Sequence, residues 1–254
     1  MINDVQKANL WKRISAFMFD AILVITVAVG IAYLLSTALQ YDDTIAQREQ
    51  LRADYEAKHG VVFDISAEDY EKLSEEEIQK INDAYAEFAS DDQVNQLHVK
   101  IVNLTLIIIV FSTLIPITIF EFVIPLCFGH GRTIGKKIFS TGVMRVDGVR
   151  ISVFQLFVRS ILGKFTLETM IPIFLILLIL FEIMPLACLV GLMVLGALQV
   201  GLVIFTQLHT PIHDMIAGTV VVDYASQMIF DSPEELLAYK EKVHEEAAEK
   251  AEYK

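Results

Sequence analysis

The sequence predicts an all-α polytopic membrane protein: a four-span transmembrane helix bundle with an extracytoplasmic helical-hairpin insertion and a short cytoplasmic β-hairpin. Three observations carry that fold class. Of 254 residues, 54% are hydrophobic, and a mean hydropathy of +0.52 is high for an ordinary soluble domain. The apolar residues gather in blocks long enough to cross about 30 Å of hydrocarbon. Charge is segregated between the blocks. Residues 40–100 hold sixteen acidic and six basic side chains, net −10, whereas Gly129–Lys164 holds seven basic ones against Asp147 alone, net +6.

The blocks are taken in order. The first runs from Arg13 to Leu39, and the second from Ile101 to Phe128 with Pro116, Glu121 and Pro125 inside it. The third apolar stretch, 167–205, is about twice as long as one span requires. It divides at "FEIMP", because Pro185 disfavours helix at Met184 and Glu182 favours water at an interface. The expected spans are 13–39, 101–128, 167–184 and 186–207. The basic loop and Lys7, Lys12 and Arg13 place the N-terminus and the 129–164 loop in the cytoplasm. Four spans return the C-terminus to the same side, giving a multi-pass protein of the cell membrane with the acidic 40–100 segment outside. The domain reading is a 9–223 membrane domain carrying that insertion, then a charged cytoplasmic helical tail, 224–254.

Local signals fill in the polar segments. In the insertion, Ser74 and Glu77 form a capping-box pattern, followed by Ile78, Ile81, Tyr85 and Phe88 at helical spacing. An earlier helix is expected over Thr44–Lys58, so the insertion reads as a helical hairpin, a solvated spacer rather than a binding cap. In the basic loop, Asp147-Gly148 between two alternating runs signals a β-hairpin. Ser152 and Gln155 then open an amphipathic helix suited to the membrane interface, with Arg159 and Lys164 at its polar positions. Ser232, Pro233 and Glu235 start the tail helix.

Several function classes fall away. The net charge of −12, with no basic cluster interleaved by aromatics, argues against a nucleic-acid partner. Cys127 and Cys188 lack close ligand neighbours and read as buried thiols. "GHGRTIGKK" fails the phosphate-loop pattern, with His130 and Lys137 at the deciding positions. His209 and His213 are four apart beside Asp214, but Pro211 lies between them, so no metal site is expected. No nucleophile-and-base set is visible; the sequence predicts neither an enzyme nor a cofactor, and the lipid bilayer is the expected partner.

Asp20 is the exception inside the first block. An ionised carboxylate exposed to lipid costs several kcal/mol, so Asp20 is expected to face the bundle interior. Arg13, seven residues earlier, lies within about 20° of the same helix face.

The stretch "RISAFMFD", with Arg13 and Asp20, resembles the signature of the RDD family of membrane proteins. That family is named for one arginine and two aspartates. "HDMIAGTVVVD", His213–Asp223, resembles its closing motif, with Asp214 at the second aspartate. "GRTIGKKIFSTGVMRVDG", which contains Lys136, resembles its glycine-lysine loop, and Arg159 an arginine that follows it. The resemblance covers roughly Asn9–Leu39 and Ile101–Asp223. It implies a charge cluster of Arg13, Asp20 and Asp214 near the cytoplasmic side. Glu121, His213, Lys136 and Arg159 are the auxiliary candidates. One arginine with two aspartates leaves net −1, which favours a shared proton or a bound monovalent cation. A structural, accessory or regulatory membrane role is the favoured expectation. The alternative is transport of a small ion or solute, such as the sodium–proton exchange of some family members, by a homo-oligomer.

Overall fold

The computed structural model describes residues 5–174, 185–206 and 210–252. It is mostly helical, with one two-stranded sheet. The chain divides into two compact units, Met1–Val29 with Thr113–Lys254, and Gly30–Ser112.

Helix α1 spans Leu10–Ala38 and α5 spans Asp92–Phe128, and both are long and apolar enough to cross a membrane. α5 starts before the expected Ile101, at Asp92, and runs through Pro116 into a π-helical turn, Thr118–Val123. On α1 the buried stripe is narrow, Ala16 and Asp20 one helical turn apart, while Ile14, Phe17, Met18, Ile22 and Ile25 are exposed. The expected third span falls largely at 175–184, outside the described residues, as does Glu182. A further apolar helix, α8, is described over Pro185–Phe205, and the expected break before it falls on residues outside the described ones.

In the Gly30–Ser112 unit, α2 (Tyr41–His59) packs against α4 (Glu75–Ser90), with α3 (Ala67–Tyr70) between them in sequence. The Ser74–Glu77 capping box forms in full. Phe63, Tyr85 and Phe88 meet edge-on or tilted, with Tyr55 against Phe88, and the Tyr55 hydroxyl donates to Asp91 across 2.7 Å. Polar, acidic helices therefore still close on an aromatic seam, which explains why this insertion is ordered.

The other unit is organised by β1 (Thr141–Arg145) and β2 (Thr219–Asp223), antiparallel with Val143 opposite Val221. This corrects the expected hairpin. The Asp147-Gly148 turn forms, with Gly148 N–H donating to the Arg145 carbonyl at 3.0 Å and Arg145 N–H to the Val149 carbonyl at 2.8 Å, but isolated bridges, Met144–Arg150 and Val149–Phe230, follow it in place of a strand. The reason is local: the chain enters a helix at the Ser152 N-cap, leaving too few residues for a strand. The β-branched run Val220–Val222 supplies the five-residue partner instead. Val143, Ile151, Leu156, Val221 and Ala8 form the core beside the sheet, and Lys12 ties α1 to Asp223 at 2.6 Å.

Helix α7 starts at the Ser152–Gln155 capping box, runs Val153–Phe157, and continues as a π-helix over Val158–Glu168. Arg159 does not lie on a polar outer face of it, as its sequence position suggested. Its buried stripe is Leu156, Arg159, Ser160 and Gly163, while Phe154 turns outward. Burial of the arginine is tolerated because carboxylates meet it there. Cys127, expected to be buried, is exposed. Ser232 caps the tail helix α10 (Pro233–Glu252), as its sequence signals.

Candidate functional site

The site begins with a proline. Pro125 has no N–H to offer the Glu121 carbonyl four residues earlier in α5. The Ser160 hydroxyl donates to that carbonyl instead, at 2.6 Å, and both residues are buried. This bond fixes α7 against α5 and sets Arg159, the neighbour of Ser160, beside the Glu121 side chain.

Arg159 is 1% exposed. Its Nε donates to Asp214 Oδ1 at 2.6 Å, its Nη2 to His213 Nε2 at 3.1 Å, and its Nη1 lies 3.8 Å from Glu121 Oε2. Asp214 sits in the first turn of α9 (Ile212–Ala217) and is fully buried. Thr219, the first residue of β2, donates to the same Oδ1 at 2.8 Å. Burial opposes ionisation of Asp214, but the Arg159 guanidinium overcomes it and holds the carboxyl well below its usual range. The same pair raises Arg159 against its own desolvation.

A guanidinium can only donate, so His213 Nε2 is the acceptor and Nδ1 carries the proton, which it gives to Glu168. Burial lowers the His213 pKa, consistent with this neutral tautomer. Backbone approach makes the contact possible: a Cβ on Gly163 would lie 2.5 Å from His213 Cβ. Gln199 of α8 and Gln155 of α7 hold the two ends of α9, through Ile212 N–H at 3.1 Å and the Ala217 carbonyl at 3.1 Å.

Asp20 has different partners from those its sequence neighbours suggest. Its carboxylate accepts from the Thr133 hydroxyl and, at 2.7 Å, from the Gly135 N–H. Thr133 is the N-cap of the short helix α6 (Ile134–Ile138), the glycine-lysine loop of the sequence. A Cβ at Gly135 would lie 2.3 Å from the Ala16 carbonyl, so only glycine lets α6 approach α1 this closely. Asp20 therefore latches α6 to α1. Lys136, next along, is buried with its ammonium 3.9 Å from Glu121 Oε2. Desolvation lowers its pKa to about 8, with Glu121 offsetting part of the effect. Lys164 completes the group, 2.5 Å from Glu121 Oε1.

All seven candidate residues, Arg13, Asp20, Glu121, Lys136, Arg159, His213 and Asp214, line one cavity of about 590 Å³. Arg13 is half-buried in that wall. The expected net charge of −1 is corrected. Arg13, Lys136, Arg159 and Lys164 face Asp20, Glu121, Glu168 and Asp214, so four positive groups balance four negative ones around a neutral histidine. Lys164 and Glu168 were not among the sequence candidates as site residues, nor were Thr133 and Gly135. The positive charge of the loop was legible, but nothing local marks which lysine turns inward. Among the described residues, no group of three or more His, Cys, Asp or Glu is placed to hold a metal. His209 lies outside the described residues.

Fold and site together define a helical protein with, among the described residues, two membrane-length apolar helices and a charge-balanced cavity beside a small sheet. The chain belongs to the RDD family, whose model matches residues 7–218 and whose domain is found in membrane proteins. No curated protein and no solved structure matches the chain.

Proposed function

We propose that the chain is a four-span membrane protein, both termini cytoplasmic, that binds a small charged solute in this cavity and passes it across the bilayer. One observation carries the reading: a single cavity of about 590 Å³ joins Asp20 to Asp214 and is lined by both acidic and basic side chains. Function belongs, in this reading, to Glu121, Arg159 and Asp214. Asp20 supports the alternative of a structural role, since Thr133 and Gly135 satisfy its carboxylate.

The test is transport by purified full-length protein in proteoliposomes, pulsed in turn with sodium, potassium and small organic ions of either sign and zwitterions. A flux lost in Asp214→Asn but kept in Thr133→Ser supports the solute reading. Folded protein that moves none of these probes would leave the cluster a structural or regulatory element.

A further inference from the structure

α7 has the polarity of a helix in water turned inside out. Its exposed residues are Val153, Phe154, Phe157 and Leu162, all of them apolar, and Phe154 is 73% exposed. Its charged side chains, Arg159, Lys164 and Glu168, line the cavity. Ser160 reaches the Glu121 carbonyl, and Gln155 the Ala217 carbonyl. A helix on an aqueous surface shows the reverse pattern, apolar inward and charged outward.

α5 sets the depth of this helix. Ser160 meets Glu121 at 2.6 Å, and the Phe157 ring stands edge-on to Phe122 with centroids 6.0 Å apart. Glu121 lies seven residues before the end of α5 at Phe128, about 10 Å of helix. α7 therefore runs beside the last turns of a membrane-length helix, not beyond its end. In those turns α5 also points Val123 and Leu126 outward, and α1 points Trp11, Met18 and Ile22 outward. Both helices keep Glu121, Arg13 and Asp20 toward the cavity, as α7 keeps its own charges. A docking patch for one protein partner is local. The same inversion on three elements is the pattern of a surface whose solvent is hydrocarbon.

We propose that α7 is immersed in the leaflet at the Phe128 end of α5, cytoplasmic in the topology above, with its outer face against lipid acyl chains. Its inner, charged face closes the cavity. The partner of Val153, Phe154, Phe157 and Leu162 is then lipid, not water and not a second copy of the chain. Only the first part of the basic 129–164 segment is a cytoplasmic loop, and the number of spans is unchanged. This placement holds whether or not the cavity binds a solute.

Trp11 is the sole tryptophan, so Phe154→Trp and Phe157→Trp in a Trp11→Phe background each report one place. The full-length variants are reconstituted in phosphatidylcholine vesicles whose acyl chains carry bromine near the headgroup or near the chain end. They are separately exposed to iodide on both sides of the bilayer. Both should lose emission to bromolipid, more to the shallow bromines than to the deep ones, and keep it in iodide. Tyr239→Trp in the same background, on the exposed face of the tail helix, is the opposite control, quenched by iodide and not by bromolipid. Wild-type protein gives a reading that no substitution disturbs. Irradiated with a phospholipid bearing an acyl-chain diazirine, it should be labelled within Val153–Leu162 as it is within Met18–Ile25 of α1, mapped by mass spectrometry. If the variants do not fold, that labelling decides alone. Iodide quenching without bromolipid quenching would overturn the proposal in favour of an aqueous face. Access to neither quencher, with Val153–Leu162 unlabelled, would overturn it in favour of contact with a second copy.

Discussion

Arg159 Nε lies 2.6 Å from Asp214 Oδ1, joining a helix that follows the glycine-lysine loop to a short helix about 55 positions later, with neither side chain reaching solvent. Removing one partner of such a pair leaves an uncompensated buried charge, at a cost of about 3–5 kcal/mol. Asp214→Ala and Arg159→Ala should each lower the thermal midpoint of detergent-solubilised protein strongly. The double variant should lose less than the sum. Additive losses would show that the two charges do not stabilise each other.

Gly163 tests the packing that positions His213. A methyl group at 163 would overlap the His213 backbone and Cβ, so Gly163→Ala should cost roughly 1–3 kcal/mol as overpacking. Gly30, in α1, has nothing within 4 Å of an added Cβ and is the matched control. Chemical denaturation of both variants checks this. Equal midpoints for the two would contradict the close approach of α9 to α7.

The Asp20 latch predicts coupling across the structure. Asp20→Asn retains one acceptor where two are used, leaving the Thr133 hydroxyl or the Gly135 N–H unpaired at a cost of about 1–3 kcal/mol. In Thr133→Val the hydroxyl is gone, so the further loss from Asp20→Asn should be smaller. A double-mutant cycle on thermal stability measures the difference. A coupling indistinguishable from zero would remove the latch.

Lys136 gives the pH dependence a sign. Burial holds its folded pKa at about 8, below its ordinary 10.5. Between those values the unfolded chain binds more protons, so stability rises with pH. The cost of keeping the ammonium buried is fully present below about pH 8 and is relieved toward 10.5. The thermal midpoint of wild type should therefore gain on that of Lys136→Met less at pH 7 than at pH 10. Parallel curves for the two proteins would refute this role.

The proposed topology is checked by labelling single cysteines at Ser74 and Ser232, with both native cysteines replaced. Ser74 should react from outside intact cells and Ser232 only after permeabilisation. Labelling from one side at both positions would exclude an odd number of spans between them, and with it the four-span topology.

What the sequence determined by itself was local or periodic. Apolar block length marked α1 and α5, and Ser74–Glu77, Ser152–Gln155 and Ser232 marked helix starts, because a cap is made within one turn of chain. The carboxylate inside the first apolar block marked Asp20, since an ionisable group there requires compensation, and the resemblance to the RDD family marked Arg13, Asp214, Lys136, Arg159 and His213, which converge on the cavity with it. The pairings were decided only in three dimensions. Val143 found its strand partner in Val221, far along the chain, while the run past Gly148 stops at isolated bridges because a helix cap claims the residues that follow. Asp20 chose Thr133 and Gly135 over Arg13, because a missing Cβ at Gly135 lets a backbone N–H come within 2.7 Å. Arg159 became the centre of the cluster through Ser160, whose hydroxyl answers a carbonyl that Pro125 leaves without a donor. Each of these depends on groups far apart in the chain, and their proximity exists only after the backbone has folded.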